Sequence, residues 1–165
     1  MPFRVVPLDA SIRPARPDDE DFLVALSVRV FRRYAPDAAR AMRRMMQSRT
    51  SQIAVAEHGN TRIGFVVVDI RPLGRDFGPF KQPSVAHLDA IAVRPNMSSQ
   101  GIGQRLLAHA EMIARSSGAV TMSLLTAETN TAAQRLFFNA GFQMLAQFDD
   151  TYAGGQRAIS MFKAL

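Results

Sequence analysis

The sequence predicts a single α+β, or mixed α/β, domain, and three observations carry that prediction. Its 165 residues are one domain's length, enough to bury a sizeable core. Short apolar runs of strand period alternate with runs of helix period in the order β-α-α-β-β-β-α-β-α-β-β. No repeat, linker or low-complexity stretch divides the chain, so we expect an N-terminal extension over 1–10 and one domain over 11–165.

Each element has its own local signal. SIRPAR, residues 11–16, fits a short strand, and PDDED then opens a helix. Asp18 is the expected N-cap, and the acids suit the positive end of the dipole. Phe22, Leu26 and Val30 share that helix's apolar face. A second helix is expected over about 37–48. IAVAEHGNTRIGFVVVDI reads as two strands joined by a tight turn at Gly59 and Asn60. RPLGRDFGPFKQPS is a loop that could serve as a flap, and 85–93 is the next strand. Ile102, Leu106, Ala110 and Ile113 stripe a helix over about 101–117, which Gly118 ends. AVTMSLLT is a strand. Asn130 caps TAAQRLFFNA, and Gly141 with Phe142 closes it. FQMLAQFDD and QRAISMFKA are closing strands joined by TYAGG.

Composition removes several classes of function. There is no cysteine, hence no disulfide framework and no thiolate metal site. The three histidines, His58, His87 and His109, lack ligand spacing, so no metal is expected. No apolar run spans a bilayer and the N-terminus lacks a signal core, which predicts a cytoplasmic protein without a membrane. The net charge of +6 is spread along the chain. Its densest stretch, ARAMRRMMQSR, reads as one amphipathic helix with a solvated basic face. No nucleic-acid motif accompanies it, and no nucleic-acid partner is expected.

SSQGIGQRLL opens a helix directly after a strand. Free N–H groups and partial positive charge at a helix start suit a phosphate. Gly101 and Gly103 allow close approach of the backbone. Two phosphate motifs fail on residues. Gln104-Arg105 stands where a Walker loop needs Lys-Ser/Thr. Leu106 stands where a dinucleotide fingerprint needs glycine, and AVTMSLLT has no ribose-binding acid.

AVRPNMSSQGIGQRLL instead resembles the acyl-CoA-binding motif of the GCN5-related N-acetyltransferases (GNAT), a strand followed by Gln/Arg-x-x-Gly-x-Gly/Ala at a helix start. LLTAETNTAAQRLFFNAGF resembles the family's following strand, Asn cap, helix and Gly-Phe. The resemblance implies a central twisted mixed sheet of about six to seven strands with about four helices, splayed to admit the pantetheine of acetyl-CoA. It implies backbone contacts to pantetheine from Ile91 and Val93, with Ala92 between them. It implies pyrophosphate contacts from Gln100, Gly101, Ile102, Gly103 and Gln104. Asn130, Ala133 and Phe137 would complete the cofactor site. Two positions depart from the family. Ser98 replaces the first Gln/Arg, with the Ser98 and Ser99 hydroxyls as the expected compensation. Phe137 replaces a tyrosine that would protonate the leaving thiolate.

HLDAIAV places His87 and Asp89 inside a strand. Strict alternation would put both on the face of Ile91 and Val93. An Asp in a strand asks for a reason, because burying an unpaired carboxylate is costly. Acetyl transfer to an amine supplies one. A lysine-like amine has a pKa of about 10.4, so freeing its lone pair near pH 7 costs on the order of 4–5 kcal/mol. A general base has to take that proton. The resemblance places the family's catalytic Glu or His on this strand, at His87 or Asp89. We expect these two to be base and orienting partner, in either order, and Tyr152 to replace the missing acid. The expected activity is attack of a primary amine on acetyl-CoA through a tetrahedral intermediate. The alternative is a non-catalytic CoA-binding regulatory or interaction domain. The expected partners are acetyl-CoA and an amine acceptor, a small molecule or a protein or peptide amine. A homodimer through the last strands is a further implication of the resemblance.

Overall fold

The apolar runs found in the sequence become eleven elements in a computed structural model that describes residues 8–165. Residues 1–7 of the expected extension lie outside the described residues. In chain order the elements are β1 (Ser11–Pro14), α1 (Glu20–Phe31), α2 (Ala38–Gln47), β2 (Ser51–His58), β3 (Thr61–Pro72) and β4 (Ser84–Val93). Then come α3 (Ile102–Ser116), β5 (Ala119–Ala127), α4 (Thr131–Asn139), β6 (Gln143–Tyr152) and β7 (Gln156–Ala164). The seven strands form one mixed sheet in the order β1-β2-β3-β4-β5-β7-β6. Every neighbouring pair is antiparallel except β4 with β5.

The sheet buries both faces, so its inner strands read as apolar runs rather than clean alternation. On one face α3 sets Ile102, Leu106, Leu107, Ala110 and Ala114 against Val66, Val68, Leu88, Met122 and Leu124. On the other face Leu23 and Leu26 of α1 and Met42 of α2 pack on Val55, Phe65, Val67 and Ala92. Each fully buried Val, Leu, Ile, Phe or Met among them contributes about 1.5–3 kcal/mol. Gly64 of β3 is needed for close approach, because a Cβ there would lie 2.8 Å from the Ala92 carbonyl oxygen. Ala10, placed in the expected extension, is buried in the first of these cores.

One expectation is corrected at the start of α1. Pro17–Asp19 forms a single 3-10 turn ahead of the helix. Asp19, not Asp18, therefore reaches back to accept the Arg16 N–H at 2.7 Å. Asp19 is fully buried between Arg13 (2.8 Å) and Arg62 (2.6 Å). The Arg13 guanidinium holds its carboxyl well below the usual carboxylate range. Asp18 stays at the surface and pairs with Arg62 at 3.1 Å. The β2–β3 turn falls at Gly59 and Asn60 as the sequence implies, with His58 opposite Thr61.

Candidate active site

The site begins where two strands part. β4 pairs with β5 only from Ser84 to Leu88, the last partners being Leu88 and Leu124. Beyond that, β4 stays on β3 as far as Val93, while β5 continues on β7 to Ala127. The Arg94 N–H donates to the Ile63 carbonyl at 2.8 Å. Bonded pairs alternate along an antiparallel ladder, so Ala92 also points at β3. The N–H and C=O groups of Ile91 and Val93 therefore point away from β3, into the gap.

A groove of about 690 Å³ runs from this gap to the start of α3. Ile91, Ala92 and Val93 line it, followed by Ser98, Ser99, Gly101, Ile102, Gly103 and Gln104. Ala133 lines it from α4. Gly101 is the N-cap of α3 at φ 78°, a backbone angle that favours glycine. Its Cβ position meets nothing within 4 Å, so the backbone there opens onto the groove. The first N–H groups of α3 have no partner one turn back within the helix, which leaves them free for an anion.

Three residues implied for the cofactor do not line this groove. Gln100 is exposed in the loop ahead of α3. Asn130 caps α4, its Oδ1 accepting the Ala133 N–H at 3.2 Å, and lines a second cavity instead. Phe137 is 4% exposed and packs against Phe142, with ring centroids 5.8 Å apart. Phe137 has no hydroxyl proton to give and is part of the core. The Ser98 hydroxyl donates to the Pro95 carbonyl at 2.8 Å, so its proton is already committed. Sequence reasoning missed Arg135, which enters the groove wall from α4 and carries a charge that Ser98 lacks.

A β-bulge re-aims the polar residues of β4. Val67 pairs with Ala90 and Val68 with Leu88, so Asp89 is an extra residue in the ladder. The alternation reverses there. Ala86 and Leu88 pack on the α3 face, as do Ile91 and Val93. Ala90 and Ala92 pack on the α1–α2 face. His87 pairs across the sheet with Asp69 and Ser123. The expected shared face of His87, Asp89, Ile91 and Val93 is thus corrected: the bulge separates the two polar residues from the two groove residues.

Asp89 lines a smaller cavity of about 160 Å³ on the α1–α2 face. Its walls are Ser27, Phe31, Tyr34 and Ala35, then Ala38, Ala41, Met42 and Met45 of α2. Ala90, Leu125, Thr126, Ala127, Asn130 and Tyr152 complete it. His87 does not line it. The His87 Nε2 lies 3.8 Å from Asp89 Oδ1, an ion-pair distance, and its Nδ1 shares a 2.9 Å hydrogen bond with the Ser123 hydroxyl. Burial pushes the Asp89 carboxyl up, His87 opposes that shift, and the Asp69 carboxylate adds to it. Burial also pushes the Tyr152 phenol up, so it keeps its proton near neutral pH.

Tyr34, which the sequence did not flag, packs edge-on to Tyr152 with centroids 6.0 Å apart. The Ala153 N–H donates to the Tyr34 carbonyl at 3.0 Å, and Gln156 Nε2 to the Arg33 carbonyl at 3.1 Å. These bonds fasten the β6–β7 connection over the pocket. Asp149 pairs with Arg157 at 2.7 Å. The loop between β3 and β4 contributes no residue to either cavity.

The chain has clear counterparts among known proteins. Residues 20–142 match the model of the acetyltransferase (GNAT) family. Arabidopsis thaliana NAA60 in complex with acetyl-CoA superposes with a TM-score of 0.81 at 16% identity, covering 95% of this chain and 99% of that one. A ribosomal-protein-alanine N-acetyltransferase from Brucella melitensis gives 0.75 at 20% identity, over 94% and 99%. Ard1 from Thermoplasma volcanium gives 0.75 at 18%, over 94% and 97%. No curated protein sequence matches the chain significantly. Among the described residues no cluster of side chains could hold a metal, and no helix is long and apolar enough to cross a membrane. By its family match, the chain belongs to the acetyltransferase (GNAT) family.

Proposed function

We propose that this protein transfers the acetyl group of acetyl-CoA to a primary amine by direct attack, with Asp89 as the general base. One observation carries the reading: successive residues of β4 wall both cavities, Asp89 and Ala90 the pocket, Ile91 to Val93 the groove. An amine in the pocket therefore meets a carboxylate on the strand that holds the donor. Acetyl-CoA supplies the activated acetyl group as a thioester, whose thiol has a pKa of about 8.5 and leaves readily.

The chain's own residues do the rest. Outward N–H and C=O groups of Ile91 and Val93 pair with the pantetheine amides as an added strand would. N–H groups of Ile102, Gly103 and Gln104 receive the pyrophosphate at the positive end of α3. Arg135 adds the charge that Ser98 lacks. Asp89, raised toward neutrality by burial, accepts the amine proton. His87 touches Asp89 rather than the pocket, so we assign it a positioning role. Tyr152 keeps its phenol proton and can return it to the departing thiolate. The edge strand β6 exposes Met144, Leu145 and Phe148, which supports a homodimer through the last strands.

The test is incubation with acetyl-CoA and a panel of peptide α-amines, lysine peptides and polyamines, read by product mass and free CoA. Acetylated product with one CoA per transfer is expected. Binding of acetyl-CoA without product from any amine would support the non-catalytic alternative.

A further inference from the structure

The pocket behind Asp89 has a composition that general amine recognition does not require. Phe31, Ala38, Ala41, Met42, Met45 and Leu125 make most of its wall apolar, and no arginine or lysine lines it. Its volume of about 160 Å³ is close to that of a dry ~150 Å³ cavity able to hold a benzene-sized group. Ser27 Oγ, buried in the same wall, has no hydrogen-bond partner in the protein.

Resting on the acetyl-transfer reading above, we infer that the acceptor is the α-amine of a residue whose side chain is apolar and of leucine or methionine size. The amine sits at Asp89 and the side chain fills the pocket between α1, α2 and Leu125. A methionine thioether is also a weak acceptor for the Ser27 hydroxyl. Two further points favour an α-amine. Its pKa of about 7.7–8.0 leaves far more of it neutral near pH 7 than a lysine's of about 10.4. The short distance between an α-amine and its own side chain also suits a carboxylate that belongs to the pocket wall. Asp89, with the Asp69 carboxylate acting on it, repels a free amino acid's carboxylate, whereas a peptide presents a neutral carbonyl.

The experiment compares kcat/KM for matched peptides beginning with Met, Leu, Ala, Glu and an N-blocked lysine, alongside free methionine and leucine. Met and Leu peptides are expected to exceed Ala and Glu peptides by at least about tenfold, the discrimination a hydrophobic pocket can give. Free amino acids should trail their peptides. Ala41→Leu, which fills the pocket, should pull Met and Leu peptides down toward the Ala peptide while acetyl-CoA binding is retained. Leu125→Ser, at a side chain already 42% exposed, should narrow the same ratio by making the wall polar. Transfer that ignores the first side chain, or favours Glu or lysine, overturns this inference and leaves acetyl transfer standing. No transfer to any amine sinks the acetyl-transfer reading itself.

Discussion

The groove and the pocket share one strand yet are built in opposite ways. The groove presents backbone: outward amides of Ile91 and Val93, then the free N–H groups at the start of α3. The pocket presents side chains gathered from α1, α2, β4, β5 and the β6–β7 connection. A backbone site recognises a ligand that is always the same and tolerates side-chain change. A side-chain site is retuned by single substitutions. Under the proposed function, the difference separates where the chain would fix its donor from where it would choose its acceptor.

That division can be broken by substitution on either side of the bulge. Asp89→Asn should lower kcat most, on the order of 10²–10⁴-fold, the usual contribution of a general base. Its acetyl-CoA affinity, measured by calorimetry, should not change. Its thermal stability should be equal or higher. A carboxyl whose folded pKa is raised binds more protons folded than unfolded, so its charge costs stability as pH rises through that range. On the other side, Gly101→Val forces a β-branched residue into the left-handed region at φ 78°. The expected result is a roughly tenfold higher KM for acetyl-CoA, given about 1–2 kcal/mol for that conformation, with acceptor preference unchanged. Arg135→Ala should raise the same KM a few-fold, and added salt should shrink the difference because the contact is exposed. Tyr152→Phe should be the mildest, a few-fold in kcat alone, since a thiol near pKa 8.5 leaves without much help.

The same division decided what the sequence could reveal. Groove residues are nearly contiguous, and glycines at a helix start announce themselves, so Ile91 to Gln104 were legible as one device. The pocket was not, because Phe31, Met42 and Leu125 meet only after the sheet forms. The methionines of ARAMRRMMQSR were visible as one face of a basic helix, but nothing local says what that face covers. The bulge at Asp89 has no glycine or proline to mark it, and a single extra residue reverses every side chain beyond it. Asp19 was missed for a similar reason: its partners Arg13 and Arg62 sit on separate strands. Phe137 followed the opposite course, a position known by resemblance that packing on Phe142 turns into core.

The central claim is that Asp89, and not His87, takes the amine proton. The pH dependence of kcat/KM tests it most directly, in the wild type, His87→Ala and Asp89→Asn. With Asp89 as base, activity rises as its carboxyl ionises, so the wild-type acid limb lies above the ordinary carboxylate range. His87 lowers that pKa, so His87→Ala should move the limb to higher pH while keeping it. Asp89→Asn should lose most of the rate and replace this limb with one set by the amine's own ionisation, at about 7.7–8.0 for an α-amine. A limb that survives in Asp89→Asn and vanishes in His87→Ala would contradict the account and make the histidine the base.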